Sequence, residues 1–219
     1  MRLYYSFNKS KTKKRVIKRF VEKIGLVYFG NVSQTKDEHQ TVKGFTASLT
    51  HHDNHYSIGS SAEYDIRLVD RKDVNIIPDG TVISQNWIIM SFDLHTKQDV
   101  PHLFIMANNH QNKPFLPFFE TFTTMSNIEF GTFEQYPSEF LEKYTIFSRQ
   151  SMSIKIQKLF PADTALIFAN HFWPLSVEQN EHVLYLYSTD VKVTDNLLSA
   201  MYENGLWLAG QIDYIAEQI

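Results

Sequence analysis

The sequence predicts an α+β protein, in which an antiparallel β-sheet is packed by an N-terminal basic amphipathic helix and a long C-terminal amphipathic helix. Three observations carry that prediction. Lys9 to Gly25 combines a dense run of cations with an apolar stripe at helical spacing. From Leu26 to about residue 110 the chain runs through short β-rich segments punctuated by turn residues. From Thr194 onward apolar residues recur with period 3.6 to the end of the chain.

In the first helix Ser10 or Thr12 is the expected N-cap, Val16, Ile17, Phe20, Val21 and Ile24 form the stripe, and Gly25 is the stop. LVYFGNV, GFTASLT, YSIGSS and YDIRLVD are strand candidates. In YDIRLVD, Tyr64, Ile66 and Leu68 share one face and Asp65, Arg67 and Val69 the other. Pro78-Asp79-Gly80 marks a turn before TVISQNWIIMSFDLH, the most hydrophobic strand candidate, and HLFIMAN follows. Together these predict about five or six strands. NKPFLPFFETF is expected to be irregular, PSEFLEKYTIF to open a helix at Ser138, and SIKIQKL to be a strand because Ile154 and Ile156 alternate with Lys155 and Gln157. Pro161 and Asp163 open a helix with the body ALIFANHF. HFWPLSV and HVLYLYS form a hairpin joined by Glu178 to Glu181. The last helix starts at an N-cap Thr194 and buries Leu197, Leu198, Met201, Gly205, Leu208, Ile212, Ile215 and Ile219. The expected organisation is a single domain over residues 1–219, with sub-regions 1–110 and 111–219.

Composition bounds the chemistry. The absence of cysteine excludes disulfides, cysteine nucleophiles and thiolate metal sites. No apolar core of a signal peptide follows the N-terminal charges, and the longest apolar run, Trp87 to Leu94, contains Asp93 and falls far short of the roughly 20 residues of a membrane span. A cytoplasmic location is expected. Charge is unevenly placed: residues 1–24 hold nine Lys/Arg and one Glu, and the remainder holds 12 Lys/Arg against 23 Asp/Glu. Such separation points to a separate task for the basic end, or to its docking on the acidic remainder.

Candidate sites follow. Lys11, Lys13, Lys14, Arg15, Lys18 and Arg19 form a cationic cluster suited to a partner or to phosphate groups, on an anionic membrane surface or on nucleic acid. His51, Asp53 and His55 would face one way on an extended strand and are a plausible ligand set for zinc, iron or manganese. The competing expectation is a hairpin tip, since Asp53-Asn54 is turn chemistry between apolar alternations. Asp65, Arg67, Asp70, Arg71 and Asp73 are expected to be a solvated, self-paired surface. Ser57, Ser60 and Ser61 lack the G-x-S-x-G frame of a nucleophile elbow, and no glycine-rich phosphate loop is present. The aromatic residues around His171 and His182 are expected to be core.

From Trp87 onward WIIMSFDLH, FGTFEQYPSEFLEKYTIFS, PADTALIFANHF and HVLYLYS succeed one another, with Phe133, Phe140, Tyr144, Leu166, Tyr185 and Tyr187 in characteristic places. This order over residues 87–190 resembles an uncharacterised bacterial domain family often linked to membrane segments. The resemblance implies a shared fold, with those residues in its core, and transfers no catalytic residue. The functional expectation is a non-enzymatic intracellular binding or interaction module needing no cofactor, peripheral at an anionic membrane surface or bound to a protein partner. The alternatives are a small metal-dependent hydrolase using His51, Asp53 and His55, and a nucleic-acid-binding protein using the basic helix.

Overall fold

A computed structural model describes residues 2–32, 50–76, 80–109, 125–128, 136–189 and 192–218, with the side chains of 2–11, 50, 51, 73–76 and 83 left aside. The basic helix α1 spans Arg2–Lys23, starting well before Ser10. No Pro or Gly interrupts residues 2–24, so once nucleated the helix has nothing to stop it. It ends as expected at Gly25, whose φ is 84°. Leu26 N donates to Val21 O at 2.8 Å and Gly25 N to Glu22 O at 3.3 Å, the paired bonds of a Schellman cap.

The strands are β1 Val27–Val32, β2 Thr50–Ser61, β3 Tyr64–Ile76, β4 Val82–Asp93, β5 Leu103–Ala107, β6 Ser126–Asn127, β7 Tyr144–Ser148, β8 Ser176–Asn180 and β9 Val183–Ser188. They form one antiparallel sheet in the order β1-β2-β3-β4-β9-β8-β5-β7-β6. The pairing of β4 with β9 joins strands from either side of residue 110. The further helices are α2 Ser138–Lys143, α3 Ser153–Leu159, α4 Ala162–His171 and α5 Asp195–Ala216.

Several expectations are corrected. SIKIQKL is helix α3, not a strand: Ile156 and Leu159, three apart, are buried, whereas Ile154 is 70% exposed. The apparent alternation arose from an exposed isoleucine. The hairpin of β8 and β9 turns at Glu181-His182, so Glu178 lies within a strand. Leu166 sits on the outside of α4, 40% exposed, while Phe140, Tyr144, Tyr185 and Tyr187 are buried. Phe133, NKPFLPFFETF and most of GFTASLT lie outside the described residues.

One face of the sheet carries the main core. Ile66 and Leu68 (β3), Ile88, Met90 and Phe92 (β4) and Leu184 and Leu186 (β9) meet Ile17, Phe20 and Val21 of α1 and Leu198, Met201, Leu208 and Ile212 of α5. The N-cap of α5 is Thr194, which accepts from Leu197 N at 3.2 Å. Asp213 near its end is buried and accepts from Tyr64 Oη and from Thr96 N, both at 2.8 Å. The opposite face holds a smaller cluster, Val69, Trp87, Ile89, Phe104, Met106, Phe147, Tyr185 and Tyr187, threaded with buried charge. The aromatic residues of the second half are core as expected: Phe168 stacks on Phe172 at 4.1 Å and meets Tyr144 edge-on at 4.7 Å.

Candidate functional site

Three places hold the chemistry. The first is the basic helix. Its apolar stripe is spent on the core, with Ile17 and Val21 fully buried. Lys13 lies on the inner side and pairs with Asp70 of β3 at 2.6 Å. Arg19 pairs with Asp195 at the start of α5. Lys14, Arg15 and Lys18 point outward and are exposed, with Lys18 beside Glu22 at 3.6 Å. Lys11 lies one turn earlier on the same helix, its side chain not described. Of the five cations whose side chains are described, Lys13 and Arg19 thus reach acidic residues of other elements, whereas Lys14, Arg15 and Lys18 face outward.

The second place is HHDNH. The hairpin tip expected at Asp53-Asn54 is not there: β2 runs straight through, and the turn to β3 is Ala62-Glu63, both with positive φ (49° and 71°). Neither is a glycine or asparagine, so the sequence carried no turn signal. HHDNH holds a β-bulge instead. Asn54 pairs with Asp70 and Ser57 with Leu68, leaving His55 and Tyr56 opposite Val69 alone. His55 takes a φ of 57° there.

Asp53 and His55 on the two sides of Asn54 each meet a partner of their own. Asp53, fully buried, faces its register partner Arg71, also fully buried: Nε and an Nη of Arg71 donate to Oδ1 and Oδ2, each at 2.8 Å. His55 bonds through Nδ1 to Tyr28 Oη at 2.7 Å. His51 pairs in register with Asp73, its side chain not described. Among the described residues no group of three His, Asp or Glu is placed to hold a metal ion. For Asp53 to ligate one, it would have to give up its guanidinium.

Arg71 is therefore not on a solvated, self-paired surface. Elsewhere in that segment Asp65 is exposed and accepts from Ser60, and Arg67 forks onto Asp93 of β4.

Burial pushes the pKa of His55 down; Asp70 opposes this, while Lys13 and Lys14 reinforce it. The fold therefore favours the neutral imidazole. Its contribution to stability is present above the ordinary value of 6.5 and is lost as pH falls below it. In His55→Asn, which keeps a side chain tolerant of positive φ, urea midpoints should fall less between about pH 7 and about pH 5 than in the wild type. Parallel acid limbs in the two proteins would remove His55 from the account.

The third place was not visible in the sequence. Glu178 on β8 is fully buried, with Oε1 2.8 Å from His102 Nε2 and Oε2 accepting from Tyr187 Oη at 2.5 Å. Burial, then the Glu178 charge, pushes the Tyr187 phenol well above its usual value, keeping it a donor. His102, just before β5, borders an open cleft of about 240 Å³. Ser148 Oγ donates to the His102 carbonyl and ties the neighbouring strand to the same spot. The signal in the sequence is slight, an acidic residue directly after Val177 where the joining segment is expected to begin.

Comparison with solved structures finds a similar architecture. The chain is similar to the mycobacterial trehalose monomycolate transport factor A (TtfA), with a TM-score of 0.54 at 8% identity, covering 92% of this chain and 93% of that one. At that identity the likeness is one of fold. No family model and no curated protein matches the chain in sequence. The bacterial likeness expected from residue 87 onward is thus found at the level of fold alone, with a solved structure and not with a family model. Among the described residues no helix is long and apolar enough to cross a membrane.

Proposed function

We propose that this chain acts as one domain and is a non-enzymatic interaction module that docks from the cytoplasm on an anionic membrane surface, through Lys14, Arg15 and Lys18 of α1 with Lys11 beside them. The observation that carries this reading is the division of labour within α1. Its apolar stripe is buried and cannot enter lipid, so attachment would be electrostatic, by an outward row of cations on a rigid helix. Lys13 and Arg19 stay with Asp70 and Asp195 and contribute little. A non-enzymatic role is supported by the internal engagement of Asp53 and His55, and agrees with the fold shared with a transport factor.

The test is flotation with vesicles containing phosphatidylglycerol, against vesicles of phosphatidylcholine alone. Lys14→Glu/Arg15→Glu/Lys18→Glu should reduce binding to the anionic vesicles by about tenfold or more, and raised salt should do the same. Binding unchanged by the triple substitution sinks the proposal. Salt-sensitive binding to mixed RNA without vesicle binding would transfer the same face to nucleic acid.

A further inference from the structure

The cleft beside His102 has its charges sorted by element. On the sheet the order is β9-β8-β5-β7, and the end of β8, the start of β5 and the end of β7 lie at the same edge because neighbours are antiparallel. Glu181 in the β8–β9 turn and Asp99 before β5 give this edge an acidic side. Arg149, immediately after β7, and Lys155 on α3 give it a basic side. Two strand spacings, about 10 Å, separate β8 from β7. His102 stands on β5's side of the gap, its Nε2 held by the buried Glu178, so that Nδ1 is the ring's remaining polar atom. Val100 and Met152 supply apolar wall between the charges.

We propose that this cleft binds a small zwitterion of short-peptide type, its ammonium group at Asp99 and Glu181 and its carboxylate at Arg149 and Lys155, with His102 facing its middle. The spacing argues for the class. A tripeptide spans at most about 10 Å, the same as the two strand spacings between β8, which leads into Glu181, and β7, which leads into Arg149. A ligand with only one charge leaves one pair of side chains with nothing to meet. Glu178 and Tyr187 act as positioning residues: a buried carboxylate held from two sides fixes the imidazole plane. This proposal is independent of the membrane reading, because none of its residues lies on α1.

The experiment is calorimetric titration of the full chain with tri-alanine, N-acetyl-tri-alanine, tri-alanine amide and glycerophosphoethanolamine. Tri-alanine should bind at about 1 mM or tighter, and each singly charged analogue about tenfold more weakly, a loss of about 1.4 kcal/mol. Arg149→Gln/Lys155→Gln should abolish the preference for a free over an amidated C-terminus. Asp99→Asn/Glu181→Asn should abolish the preference for a free over an acetylated N-terminus; Asn suits the φ of 54° at Glu181. Glu178→Gln should weaken tri-alanine binding and move the His102 ring resonances seen by NMR, and Lys14→Glu/Arg15→Glu/Lys18→Glu should leave tri-alanine binding unchanged. No saturable binding of tri-alanine below about 10 mM, equal affinity for the capped analogues, or binding of glycerophosphoethanolamine in its place would overturn the proposal.

Discussion

Asp53→Ala is expected to cost about 3–5 kcal/mol of folding stability, because it removes one partner of a buried ion pair. Arg71 and Asp53 are both fully buried and meet through two parallel hydrogen bonds. Removing the carboxylate takes from a buried guanidinium, which cannot shed its proton, the two hydrogen bonds that it donates to Asp53. Arg71→Met should cost less, since a carboxyl group has a neutral form open to it in a buried site and a guanidinium has none. The double substitution Asp53→Leu/Arg71→Met should recover most of the loss, because a buried ion pair contributes little over a well-packed apolar pair. Urea unfolding of the four proteins gives the coupling energy directly. A loss below about 1 kcal/mol in Asp53→Ala would mean that water reaches the pair. The same cycle bears on the metal reading, in which Asp53 is a ligand: zinc should not raise the unfolding midpoint of the wild type.

The fold was legible where one face of an element stays in water. The C-terminal helix alternates buried Leu198, Met201, Leu208 and Ile212 with exposed residues, and its cap is a threonine with a specific partner. β4 and β5 were legible as continuous apolar runs. Reading failed where the sheet buries polar groups on its second face. Asp53, Arg71 and Glu178 look like surface residues in sequence, since charged residues are seldom fully buried. Their partners are Asp53 for Arg71, 18 residues away, and His102 for Glu178, 76 residues away. No local pattern encodes such distant pairing. The turn at Ala62-Glu63 failed for a different reason: two left-handed residues are held there by the register of β2 and β3, not by their own preference. For the candidate sites, the cation cluster was visible as a cluster, but which cations face outward depends on the angle at which α1 lies on the sheet. Lys13 and Lys14 are adjacent in sequence and opposite in environment.

Gly205→Ala is expected to destabilise the protein by about 1–3 kcal/mol, against the sign that helix propensity alone gives. In an exposed helix interior, alanine in place of glycine would gain about 1 kcal/mol. Gly205 lies in the middle of α5 and is buried against β4. A Cβ there would stand 2.2 Å from Phe92 Cε2 and 2.3 Å from Cζ, well inside contact distance. Phe92 is fully buried, with the main core around it, so its ring cannot simply swing aside. The helix must move off the sheet or the ring must leave its rotamer. Phe92→Leu shortens the obstructing side chain at a cost of its own. In that background Gly205→Ala should become neutral or stabilising, a change of sign that a generic loss of packing does not produce. Thermal or urea unfolding of the two single variants and the double reads it. If Gly205→Ala raises the midpoint in the wild-type background, the close approach of α5 to β4 is not as described. The glycine would then have only its propensity cost to explain.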